Sequence, residues 1–188
     1  MPRTSHYRSQ ALSLSKVREA IAAHDHAKAK GCPLNVTLDI HWQWARFATE
    51  GIWNRCKAVA ALLESQRHWL AYHGVDFISI LVREAPLGSS EGEQAHQLVH
   101  VPDHLQAPFL KHTKHFLGGN KRLPKRALAW GTTYNDSKLA YMLKGCTPNA
   151  REHIAAMFAT DYERHHFLAG TAEKTRQGII YGKRLLIS

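Results

Sequence analysis

The cleanest hydrophobic pattern in the chain is LNVTLDIHW, where Leu34, Val36, Leu38 and Ile40 alternate with Asn35, Thr37, Asp39 and His41. A period of two predicts a half-buried strand. From Trp44 to His73 the spacing lengthens to that of a helix, through Ile52, Cys56, Val59, Leu63 and Leu70, and Gly74 follows as a natural stop. Asp76 to Glu84 is an apolar strand, Pro86 to Gly92 a turn-rich loop, and Gln94 to Val101 a second strand, which together predict an antiparallel hairpin. A helix runs from Pro102-Asp103 to about Leu117 and stops at Gly118-Gly119. Ala127 to Tyr134 forms a further strand. Asn135, Asp136 and Ser137 offer N-cap groups to a helix carrying Leu139 to Gly145, and Thr147-Pro148 restarts a helix to about Phe158.

The order β-α-β-β-α-β-α predicts an α+β fold: an antiparallel or mixed sheet with helices on one face, in the ferredoxin-like or RNA-recognition-motif style. Before it, Ser15 to Lys30 reads as a short helix or a basic arm closed by Gly31-Cys32-Pro33. Residues 1–33 are therefore expected as an N-terminal arm or helix, and residues 34–188 as one domain. The chain has 188 residues, enough for one well-cored domain and short for two. No internal repeat is visible.

Charge changes the picture next. Lys plus Arg number 25 against 15 Asp plus Glu, a formal charge of +10 that favours a polyanionic partner, nucleic acid first. No apolar run reaches the roughly 18 residues of a membrane span, and the N-terminus carries no secretory pattern. Cys32, Cys56 and Cys146 are far apart and form no Cys-x-x-Cys pair. They read as free thiols of a cytoplasmic protein.

Two motifs carry candidate chemistry. On the strand QAHQLVHV, Gln94, His96, Leu98 and His100 share one face, with neighbouring Cα atoms about 7 Å apart at a rise of ~3.3 Å per residue. Gln94 and His96 are near enough to converge on one ion; His96 and His100 are not. The same histidines also suit a solvated strand edge. In Tyr141-Met142-Leu143-Lys144, helical spacing puts phenol and ammonium on one face. A free phenol, with a pKa near 10, is a poor nucleophile at neutral pH without a cation or base beside it. An ordinary amphipathic helix shows the same pattern.

Glu84, ending the neighbouring strand, offers either a further metal ligand or a solvated terminus. Lys121, Arg122, Lys125 and Arg126, with Lys183 and Arg184, form basic clusters suited to phosphates. Of the five tryptophans, Trp130 beside the basic segment is the one expected at the surface for stacking on bases.

The order of these motifs resembles that of rolling-circle replication initiators of the HUH endonuclease superfamily, where U is a bulky apolar residue. That pattern has an apolar strand with a Thr-containing centre, a His-containing strand ending in HVP, and a helix with YxxK. The likeness is closer to bacterial plasmid or phage replication proteins whose second motif reads approximately HVHILLHVP; here the stretch is QAHQLVHVP. The closing GIIYGKR is similar to a glycine-lysine-arginine element of that family. The likeness spans about Leu34 to Gly145 plus the tail. Two departures stand out: Gln94 replaces the first histidine, and Ala95 is a small apolar residue.

The resemblance implies an HUH-type palm that nicks single-stranded DNA at a replication origin. It implies Tyr141 as nucleophile assisted by Lys144, and magnesium or manganese held by His96, Gln94 and Glu84. Host helicase and polymerase are the further partners implied. A glutamine carbonyl can replace a histidine toward such oxygen-seeking cations. Two rival expectations are a DNA-binding relative that has lost cleavage, and an RNA-binding module, for which the candidate strands lack the usual aromatic signature.

Overall fold

The structure is a computed structural model and describes residues 11–47, 52–86, 92–132, 136–156 and 175–181. Helix α1 (Leu14–Ala29) leads into β1 (Val36–His41), followed by α2 (Ile52–Tyr72). The hairpin β2 (Ser79–Pro86) and β3 (Gln94–Val99) comes next, then α3 (Gln106–Gly118) and β4 (Leu128–Gly131). Helices α4 (Asp136–Met142) and α5 (Pro148–Ala155) and the strand β5 (Thr175–Tyr181) complete the described elements. All strand pairs are antiparallel, in the order β4-β1-β3-β2-β5. Two split β-α-β units interleave in the first four strands, which is the ferredoxin-like arrangement.

Helix α2 begins at Ile52 rather than near Trp44, because Trp42–Trp44 closes a 3-10 turn in which the Ala45 N–H donates to the Trp42 carbonyl. Gly74 and Gly119 end α2 and α3 with positive φ, where a side chain would be strained.

Strand alternation sends two sets of side chains to opposite faces. Val36, Leu38 and Ile40 of β1, Leu81 of β2, and Ala95 and Val99 of β3 join α2 and α3 in one core. Trp42 and Phe109, both fully buried, fill its centre. Within it, Gln97 donates to Gln66 (2.8 Å), and Gln66 donates to Thr113 (3.3 Å), tying the sheet to both helices.

The opposite face corrects the expectation of helices on one side only. Ile80 and Val82 of β2 and Leu98 of β3 pack with Val17, Ala20, Ala23 and Ala27 of α1. Leu139, Ala140 and Met142 of α4, with Ala150 and Ile154 of α5, belong to the same core. The central strands are apolar on both faces, so a helical layer on each side is what keeps them from water. Helix α1 is thus part of the packed structure, the helical form of the two alternatives for the N-terminal segment. Its lead-in clamps the chain after α4: the Leu12 N–H donates to Gly145 O (3.0 Å) and the Thr147 N–H donates to Leu12 O (2.9 Å). On the α1/α4 face the apolar surface stops short of one end, where β1, β3 and β2 present Asp39, His96 and Glu84.

Candidate active site

Register brings those three residues together. Asp39 lies directly opposite His96, and Gln94 lies opposite both Glu84 on β2 and His41 on β1. Directly opposed residues have Cβ atoms roughly 5 Å apart, within reach of side-chain contact. His96 is buried, at 4% exposed. Its Nδ1 is 2.6 Å from Asp39 Oδ1. An ionised carboxylate only accepts, so Nδ1 carries a proton and donates it. Its Nε2 lies 3.3 Å from Glu84 Oε2 and has no aligned hydrogen-bond partner among the described residues.

Helix α4 and the turn after it lie across these strands. Lys138 Nζ is 3.0 Å from Asp39 Oδ2 and 3.2 Å from Oδ1. Lys144 Nζ is 3.2 Å from Glu84 Oε2. Between them the Tyr141 ring stands edge-on to His96, with centroids 5.8 Å apart, and has Lys144 Nζ 4.1 Å and Lys138 Nζ 5.5 Å from its centroid. The i, i+3 and i+6 positions of one helical stretch thus meet three neighbouring strands one for one: Lys138 with Asp39, Tyr141 with His96, Lys144 with Glu84. Tyr141 is 49% exposed, so the ring rests on the cluster and is open to a solute.

The electrostatics follow from alternating charge along Lys138, Asp39, His96, Glu84 and Lys144. Burial opposes ionisation of Asp39, but hydrogen bonds from His96 and Lys138 outweigh it and bring its pKa down to about 2. Burial likewise opposes the charge on Glu84, and His96 and Lys144 overcome it, lowering its pKa. Burial disfavours the imidazolium of His96, yet Asp39 and Glu84 together raise its pKa. For Lys144, burial is outweighed by the Tyr141 hydroxyl and by Glu84, and the pKa rises.

These shifts give opposite signs of pH dependence. Asp39 contributes stability above its ordinary pKa of 3.8, and loses it as pH falls through about 2. His96 contributes fully below its ordinary 6.5, and loses its contribution as pH rises through the elevated value. Glu84 adds its contribution in full only above its ordinary 4.5, so urea midpoints are expected to peak between about pH 4.5 and about pH 6.5. In Asp39→Asn the acid limb should flatten by about 2 kcal/mol. An acid limb as steep as that of the parent would contradict this assignment.

Among the described residues no three His, Cys, Asp or Glu side chains form a group able to hold a metal ion. The groups that could reach a divalent cation there are the buried Nε2 of His96 and the Glu84 carboxylate beside it, with Gln94 paired opposite Glu84 on the neighbouring strand. Asp39 behind His96 completes the carboxylate–histidine arrangement that commonly backs a metal ligand.

The residues expected to meet nucleic acid are distributed differently. Lys121, Arg122, Lys125 and Arg126 are exposed ahead of β4, and Arg126 lies 3.2 Å from the centroid of the Trp44 ring. Trp130 is 47% exposed, the surface position expected of it. It pairs with Leu38, however, and so points to the α2/α3 face, away from Tyr141. Lys183 and Arg184 lie outside the described residues. His100, beyond the end of β3, is held by the Pro33 carbonyl at 2.8 Å and takes no part in the cluster.

Sequence reasoning missed Lys138 and left Asp39 as one polar position on a half-exposed strand. The signal for Lys138 was present: it precedes Tyr141 by three residues as Lys144 follows by three, giving Lys-x-x-Tyr-x-x-Lys. No protein-family model matches the chain, and no curated protein or solved structure is significantly similar to it.

Proposed function

We propose that this protein is a metal-dependent endonuclease and strand transferase that nicks single-stranded DNA through Tyr141, as initiators of rolling-circle replication do. The observation that carries this reading is the meeting of Tyr141 and Lys144 with His96 and Glu84, residues that the resemblance singled out from separate elements. An exposed phenol beside two ammonium groups and a buried imidazole suits in-line attack on a phosphodiester. The Tyr141 oxygen bonds to phosphorus as the bond from phosphorus to the 3′ oxygen breaks. The phenolic proton ends on the departing oxygen, leaving a 5′-phosphotyrosyl link and a 3′-hydroxyl. Lys144 and Lys138 offset charge at the phosphate. A magnesium or manganese ion held by His96, Glu84 and Gln94 would supply Lewis-acid polarisation, typically worth several kcal/mol.

The excess of ten positive charges favours DNA as the partner, with Lys121, Arg122, Lys125, Arg126 and Trp130 as flanking contacts. Origin DNA, a host helicase and a polymerase place the reaction in the cytoplasm. No described helix is long and apolar enough to cross a membrane.

A panel of end-labelled single strands incubated with manganese and run on a denaturing gel tests the reading. The expected result is one or a few strands cut at a single position, with the fragment on the 3′ side of the cut shifted onto protein and the other released with a free 3′-hydroxyl. Salt-sensitive binding of every strand with none cut would favour the second reading, a DNA-binding relative without cleavage. Gln94 in place of a histidine is the observation on that side. Equal binding of RNA of the same sequence would favour the third.

A further inference from the structure

His96 is buried between two carboxylates, and once its ring is neutral, as in alkaline solution or with a cation on Nε2, it has one proton to place. The contact to Asp39 is short and aligned at 2.6 Å; that to Glu84 is 3.3 Å and unaligned. Short charge-assisted hydrogen bonds are the stronger kind, so the proton belongs on Nδ1. Asp39 is itself immobilised, since Lys138 bonds both of its oxygens from the helix that carries Tyr141.

We propose that Asp39 is a positioning residue, fixed by Lys138, that keeps His96 in the Nδ1-protonated form with the Nε2 lone pair turned toward Glu84. Its part in DNA nicking rests on the function proposed above; its effect on the imidazole does not. The carboxylate is required for a reason of donors and acceptors. In Asp39→Asn, Lys138 can only donate and therefore takes the amide oxygen. The amide NH2 is left facing His96 Nδ1 and donates to it. The proton then moves to Nε2, and the lone pair toward Glu84 is lost, with almost no change in side-chain volume. The same logic explains why an aspartate behind a catalytic histidine cannot be replaced by asparagine in serine proteases.

The test is nitrogen NMR of the 15N-histidine-labelled protein, without metal or DNA, in alkaline buffer. In the parent, His96 is expected to show a protonated, hydrogen-bonded Nδ1 and a bare Nε2; an Nε2-protonated ring would overturn the proposal without any variant being made. In Asp39→Asn the tautomer should invert, whereas Lys138→Met, which keeps the carboxylate, should preserve the parental form. An unchanged tautomer in folded Asp39→Asn would also overturn it. Manganese-supported nicking by Asp39→Asn should fall by about 10- to 100-fold, the usual scale for a residue behind a metal ligand, with oligonucleotide binding unchanged. A parent with the expected tautomer that cuts no strand would refute the nicking function alone. A parent that cuts DNA but carries the proton on Nε2 would refute the role of Asp39 alone.

Discussion

Tyr141→Phe is expected to abolish the covalent protein–DNA adduct while leaving the protein folded and able to bind single-stranded DNA. The substitution removes one oxygen from a ring that is half exposed, and keeps the ring's edge against His96 and its face beside Lys144. Stability should therefore change by no more than about 0.5 kcal/mol, as at other exposed positions. Cleavage should fall on the order of 10³-fold or more, because loss of a nucleophile leaves the remaining groups nothing to activate. Denaturing electrophoresis of protein incubated with a labelled origin strand and manganese reads the result directly. An adduct formed in unchanged yield, or traced by peptide mapping to another tyrosine, would remove Tyr141 from the mechanism.

The reason for expecting so large an effect lies in how α4 is held. A helix of seven residues, Asp136–Met142, has little intrinsic stability. Its apolar side, Leu139, Ala140 and Met142, is buried, but burial alone does not fix rotation to the degree that the proposed in-line attack needs. The two ion pairs, Lys138 with Asp39 and Lys144 with Glu84, straddle the tyrosine and tie it to β1 and β2. The main-chain bonds from Leu12 to Gly145 and from Thr147 to Leu12 hold the segment immediately after Lys144. The proposed nucleophile is thereby fastened on both sides, with its ring held edge-on to His96.

Much of this was legible in the sequence, and the limits have physical causes. The period-two alternation of Val36, Leu38 and Ile40 marked β1, and Gly74 and Gly118-Gly119 marked where α2 and α3 stop. The i, i+3 spacing put Tyr141 and Lys144 on one side of a helix. Local periodicity says which face a residue shares, but not which strand lies beside it. The pairing of Asp39 with His96 depends on register between strands 57 residues apart, a long-range property that no local pattern carries. For the same reason Trp130 was recognisable as exposed, while its direction, away from Tyr141, was not: that follows from its pairing with Leu38. The second helical layer was hidden differently. Ile80, Val82 and Leu98 sit in apolar runs, and such runs fit a strand buried on one face or on both.

His96→Ala is the second variant expected to lose nicking altogether, and it separates the enzyme from a DNA-binding relative. Removing the imidazole takes away the buried nitrogen donor between Asp39 and Glu84. It does not strand a charge, because Asp39 keeps Lys138 and Glu84 keeps Lys144. The variant should therefore fold, losing on the order of 1–3 kcal/mol from a lost side chain and its hydrogen bond. Dependence of cleavage on manganese should vanish with cleavage itself, since Glu84 and Gln94 alone offer two oxygen ligands and no nitrogen. Affinity for single-stranded DNA, and its decline with salt, should stay near the parental values, because exposed Lys121, Arg122, Lys125 and Arg126 are untouched. Fluorescence anisotropy over a salt series and a manganese titration of cleavage, run on the same preparation, measure the two properties separately. Parental cleavage in His96→Ala would show that the cluster is not the metal-bearing centre; loss of DNA affinity in proportion to cleavage would make His96 a structural residue of the DNA-binding surface instead.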